Sequence, residues 1–422
     1  MKFRFPAAVA LLFAVLVSAG ITAQRRDVFV APRDHPAIGY SATEPTDEVT
    51  ALNQKLAEGS VALKFDPTSG YLRSVLEALK VPIESQSLVF SKTSFQAPLI
   101  RIDNPRAVYF SDTISVGWVR GGEVLEISAV DPRQGVIFYT VDQTDTTRPQ
   151  FRRNDSCLAC HLAWETAGVP GLIVHSVHPL PDEISYVNGY TTTHGSLMTE
   201  RWGGWWVTGN HGGARHMGNI PVMPAEKGKA KLANPRQPLK SVEGLFDLKG
   251  YPTPYSDVVA MMVLAHQTRM TNLITRVGWE ARLATAEPSE DAVLRTREAA
   301  ADLVDYMLFV HEAPLVGPMQ DSSGFAATFM GQGPRDAKGR SLRDLDLRRR
   351  LFRYPCSYMI YTEAFDALPA AGRDAVYTRL WDILSGREKH QRYNRLTAAD
   401  RQAIIEILRE TKRDLPVYFQ KT

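Results

Sequence analysis

The sequence predicts an α+β protein with a β-rich N-terminal section, a loop-rich central section and an α-helical C-terminal section. Three observations carry this prediction. Between 87 and 141, short β-branched and aromatic runs are separated by Gly121-Gly122, Asp131-Pro132 and Gln134-Gly135. From 256 onward, apolar residues recur at helical spacing behind residues able to cap a helix. Between 151 and 255, turns rich in glycine and proline dominate and neither periodicity holds.

In chain order, the first 23 residues read as a secretory signal. Lys2 and Arg4 precede an uninterrupted apolar run over 7–17, and Ser18, Ala19, Gly20 and Ala23 supply small residues for cleavage between Ala19 and Gln24. The run is short for a membrane span, and a retained anchor is the alternative. The expectation is a periplasmic or otherwise exported protein with no integral span after cleavage. Removing Lys2 and Arg4 takes two from 49 basic side chains, against 46 acidic ones, and leaves the mature chain near neutral. That balance offers no argument for nucleic acid or a membrane surface as a partner.

Section 24–150 opens with a helical stretch at 47–56 and a second at 71–79, where Leu72, Val75, Leu76 and Leu79 share a face. Strands follow at 89–90, 107–110, 114–119, 124–130 and 136–141. In section 151–255, the stretches 205–208 and 214–218 read as a hairpin around 209–213, and 225–255 reads as a surface loop or linker. Section 256–422 carries helices from a Ser256 cap to about 282, from a Ser289 cap to about 309, over 368–384, and over 398–412. The last has Thr397 as cap and Asp400 at the capping-box position.

Chemistry concentrates in the central section. Cys157, Leu158, Ala159, Cys160 and His161 spell C-x-x-C-H, the attachment signature of c-type haem. Two thiols at this spacing can each add to one haem vinyl, and the following histidine is held under the iron as its proximal ligand. The competing readings are a redox C-x-x-C with an incidental histidine, or half of a zinc site. Zinc asks for about four ligands, and there is no second cysteine pair. A redox pair usually opens a helix, which the flanks 154–156 and 164–171 do not suggest. The remaining thiol, Cys356, lies in an aromatic-rich stretch and reads as buried and inert.

With this motif behind an export signal, the chain resembles monohaem c-type cytochromes. Beyond the motif, the stretches 104–119, 201–219 and 351–368 are similar to a group of uncharacterised exported bacterial proteins with one haem-attachment site. The resemblance implies one covalent haem c and a redox role, and names no substrate. Small cytochromes c need only about a hundred residues; here the motif sits mid-chain.

The sixth iron position is open on sequence. His211, His216, Met217 and Met223 are the candidate distal ligands, because six of ten histidines fall within 151–224 and this segment also offers close glycine backbone. Met262, His266 and Met270 share a helix face and read as packing, with an edge-on haem contact or copper as the alternative. Trp202, Trp205 and Trp206 read as a haem-packing wall. Arg201 and Arg215 are candidates to pair with propionates, since arginine forms bidentate bonds to carboxylates.

Three functions remain in play. The first is electron transfer to a redox partner protein or small-molecule donor or acceptor. The second is a haem enzyme with an open distal site, such as a peroxidase. The third is haem as a sensor or structural group. No H-E-x-x-H, G-x-S-x-G or phosphate loop is present, and a lone C-x-x-C-H disfavours di-haem peroxidases.

Overall fold

A computed structural model describes residues 32–177, 189–220 and 238–420. The signal segment and Met223 lie outside the described residues. Arg33–Thr422 forms one compact unit.

The α+β prediction holds, with the sheet in the N-terminal half and most helix in the C-terminal half. Helix α1 (Glu48–Ala57) starts at Asp47, whose carboxylate accepts from the Val49 and Thr50 amides. Helix α2 (Leu72–Ala78) buries Leu72, Val75 and Leu76, the face that the apolar spacing marks out. A six-stranded antiparallel meander follows: β1 (Ser87–Val89), β2 (Arg106–Phe110), β3 (Ile114–Trp118), β4 (Val124–Asp131), β5 (Gly135–Asp142) and β6 (Arg152–Arg153). The sequence omits β6 because two arginines carry no strand signature; pairing with Tyr139 and Thr140 makes the strand.

The meander has two differently dressed faces. Ala107, Tyr109, Val116, Trp118, Leu125 and Ile127 are buried in one apolar cluster with α1 and α2. The register puts Arg106, Val108, Gly117, Glu126, Ser128, Phe138 and Thr140 on the opposite face.

Four longer helices carry the C-terminal half. Helix α4 (Val258–Ala286) is buried on nearly every side; its first eight residues, Val258–Ala265, are apolar all round, and the polar residues after them find partners inside. Most of its buried residues join a second apolar cluster, while Trp279 packs with the sheet. Its cap is Asp257, not Ser256. The Ser256 hydroxyl instead accepts from Leu88 N–H and donates to the Trp206 carbonyl. Helix α5 (Glu290–Met307) starts at the expected Ser289. Helix α6 (Ala370–Leu384) packs on α5, and α7 (Ala398–Thr411) shows the Thr397–Asp400 capping box. Among the described residues no helix is long and apolar enough to cross a membrane.

One expectation fails in the central section and another is refined. The hairpin around 209–213 does not form: β7 (Asn210–His211) pairs with β8 (Met319–Gln320), Met319 lying opposite His211 from a distant part of the chain. Long-range backbone contact between Gly212 and Gly317 takes the place of the local turn; a Cβ on Gly212 would lie 2.4 Å from the Gly317 carbonyl oxygen. Residues 238–255 do form a largely exposed loop, but one pinned at two points. Val242 and Tyr251 are buried against the sheet, with the Tyr251 hydroxyl donating to the Pro105 carbonyl at 2.7 Å. Tyrosine and valine inside a Gly/Pro-rich run supply the anchors that composition alone hides.

Candidate functional site

The C-x-x-C-H motif sits on a single helical turn. Asn154 opens it: its side chain accepts from the Ser156 amide and hydroxyl, and a 3-10 turn (Asp155–Cys157) leads into α3 (Leu158–His161). Cys157 therefore immediately precedes a helix, contrary to the reading of the flanks, because Asn154 caps the turn from three residues upstream. Helical neighbours three apart stand on one side, with Cβ atoms about 5–6 Å apart. That places the two cysteine side chains on one side of the turn, and neither is in a disulfide.

Their surroundings differ. Cys157 is half-buried and Cys160 exposed. Burial, reinforced by the nearby Glu126 carboxylate, pushes the Cys157 thiol up to about 11. A thiol–disulfide nucleophile needs the opposite shift. Cys356 is fully buried, and burial raises its thiol to about 12.

His161 is held at one nitrogen. Nδ1 lies 2.8 Å from the carbonyl oxygen of Gly171, so Nδ1 carries the proton and Nε2 keeps its lone pair. The ring rests on Phe138 with centroids 4.7 Å apart. Burial lowers the imidazole's affinity for a proton and keeps it neutral. Gly171 is itself fixed by α4: both Leu172 backbone groups bond the Asn272 side-chain amide, at 2.9 Å to Oδ1 and 2.8 Å from Nδ2. A histidine whose second nitrogen donates to a backbone carbonyl is the usual outer-shell arrangement of a metal ligand. Among the described residues, no three His, Cys, Asp or Glu side chains close on a common metal site. A haem iron asks the protein only for axial ligands, the porphyrin supplying the rest. The paired thiols and the oriented His161 fit that group.

The other candidates lie elsewhere. Gly209, two residues before His211, abuts Val258 at the start of α4, whereas Asn272 marks the His161 end. Val258 and Asn272 are about 21 Å apart along the helix. His211 and His216 face each other with ring centroids at 4.8 Å, and Trp202 meets His216 at 5.2 Å. His216 is buried, its Nδ1 accepting from Gly218 N–H. Met217 is half-buried next to it, its amide bonding the Arg201 carbonyl.

Arg201 is fully buried. Its guanidinium donates to the carbonyls of Ser196 and His194 and meets the Met262 sulfur at 3.0 Å. Burial lowers it to about 10. Arg215 is exposed. Trp205 donates to the His175 carbonyl and joins the α4 core together with Trp202, whereas Trp206 points into the sheet core. His266 stacks on Phe309 at 4.3 Å and Tyr306 at 5.3 Å, which accounts for the Met262, His266 and Met270 stripe as packing.

The sequence reading missed two residues at the motif. Arg106 and Glu126 form an ion pair on the sheet face that carries Phe138, and both act electrostatically on His161. Nothing local in the chain links 106 to 126 to 161; only strand register does. The chain matches no family model, no curated protein and no solved structure.

Proposed function

We propose that this is an exported c-type cytochrome that carries one covalent haem on Cys157 and Cys160, with His161 as proximal ligand, and that transfers electrons. The observation that carries the reading is the His161 ring, fixed through Nδ1 on Gly171 with Nε2 left to coordinate, one residue after two thiols on the same helical turn. Bound haem supplies one-electron chemistry. The protein's own part is to hold the imidazole's tautomer and direction through Gly171 and Asn272. It also seats the ring on Phe138 and keeps the site neutral by burial.

Matured in a host with haem-attachment machinery, the purified protein should gain the mass of one haem that survives denaturation. Cys157→Ser with Cys160→Ser should abolish the gain; an unmodified parental mass sinks the reading. N-terminal sequencing of the exported protein should begin after Ala19 and no later than Gln24.

The position of His211 and His216 at the far end of α4 favours a second reading, a haem enzyme with an open distal site. Carbon monoxide separates the two. A carrier keeps a low-spin spectrum that the gas does not change, while an open site binds it in the ferrous state.

A further inference from the structure

We propose that the Arg106–Glu126 ion pair is the electrostatic control of this redox centre, Glu126 lowering and Arg106 raising the reduction potential of the iron that His161 holds. The inference rests on the haem reading above and adds residues that the attachment motif does not contain.

The placement follows from strand register. Phe138 on β5 stands opposite Ser128 on β4, and Glu126 is the next β4 residue on that face. Diagonal neighbours of this kind are about 7–8 Å apart. His161 lies on Phe138, so the carboxylate and the imidazole share one patch of sheet. Across β3, the position opposite Glu126 is Gly117, which in turn faces Val108 on β2. The missing side chain lets Arg106 reach over β3: a Cβ at 117 would sit 2.3 Å from Nη2 and 2.7 Å from Nε. Arg106 Nη2 closes the pair on one Glu126 oxygen, and the other accepts from Ser94 Oγ and from Gln96 Nε2 at 2.9 Å. Arg106 Nε has no hydrogen-bond partner among the described residues. Both side chains are largely shielded, at 21% and 14% exposure, so their fields are screened less than those of surface charges.

Two opposite charges held in a part-buried patch beside an iron ligand act on the iron with opposite signs. Reduction adds one electron to the iron and makes or breaks no bond. A nearby carboxylate favours the ferric state and a guanidinium the ferrous state, and the charge around a redox centre is one of the levers that set its potential. Any ligand that drew Arg106 away from Glu126 would shift this balance.

The test uses the full mature protein with haem attached, titrated with dithionite and ferricyanide through mediators. Glu126→Gln keeps shape and removes the negative charge; its potential should rise. Arg106→Gln should lower the potential, the double variant should return toward the parental value, and Arg106→Lys should stay near it. Haem-bearing variants whose potentials stay put, or move the same way, overturn the proposal. Should Arg106→Gln fail to fold, Glu126→Gln and Arg106→Lys decide alone. A parental protein that never acquires covalent haem overturns the haem reading as well, and mass spectrometry tells the two failures apart.

Discussion

His194 and His266 meet in the interior with their Nδ1 atoms 3.1 Å apart. The outer partners fix the protons. His194 Nε2 lies 3.3 Å from the Val310 carbonyl and must donate to it, so His194 Nδ1 is an acceptor. His266 Nδ1 therefore carries its proton, and His266 Nε2 accepts from the Ser357 hydroxyl at 2.8 Å. The chain is complete only while both rings are neutral. Burial holds both well below the ordinary histidine value, His194 at about 3.

This geometry predicts acid sensitivity. Unfolded histidines take up protons from about pH 6.5 downward, while folded His194 resists until about pH 3 and burial holds His266 well below the ordinary value too. The unfolded state thus binds more protons across that window, and stability falls as pH drops, by on the order of 1 kcal/mol per pH unit for each histidine. Urea midpoints at pH 7 and pH 5 check this. The slope should be shallower in His194→Gln, and a flat parental profile would refute the idea.

Arg201→Met should cost about 1–3 kcal/mol, because the part-buried Ser196 carbonyl loses its donor and the His194 carbonyl keeps only the Ala313 N–H. Folded Arg201→Met protein should still carry one covalent haem. Denaturation curves combined with haem stoichiometry read both outcomes, and loss of haem from a folded variant would instead tie Arg201 to the propionates.

Gly212→Ala should destabilise by about 1–3 kcal/mol. Its φ is +66°, and the new methyl would meet the Gly317 backbone, which has no flexible end to swing aside. A thermal melt indistinguishable from the parent would contradict the close approach.

His211→Ala and His216→Ala should leave the iron's spin state unchanged, because both residues sit by the start of α4, about 21 Å along the helix from Asn272. A low-spin to high-spin conversion in either variant would assign it the sixth position.

Legibility from sequence was uneven for identifiable reasons. Ser289 and Thr397 declare their helices because capping is decided within three residues. The five principal strands declare themselves through β-branched runs between turn residues. Cys157, Cys160 and His161 are contiguous, so their motif is readable without a fold. What stayed hidden depends on distance along the chain. Met319 pairing with His211, Asn272 clasping Leu172, and Arg106 reaching Glu126 past Gly117 are each settled by tertiary register. Trp205 and Trp206 are adjacent in sequence yet enter different cores.

The Asn272 clasp has a consequence for how the molecule breathes. A side-chain amide that bonds both the N–H and the C=O of Leu172 plays the part of a neighbouring strand. The Leu172 amide can then exchange its hydrogen with solvent only when the segment after the attachment motif lifts from α4. Its exchange rate reports that opening, and with it how often the Gly171 carbonyl lets His161 turn.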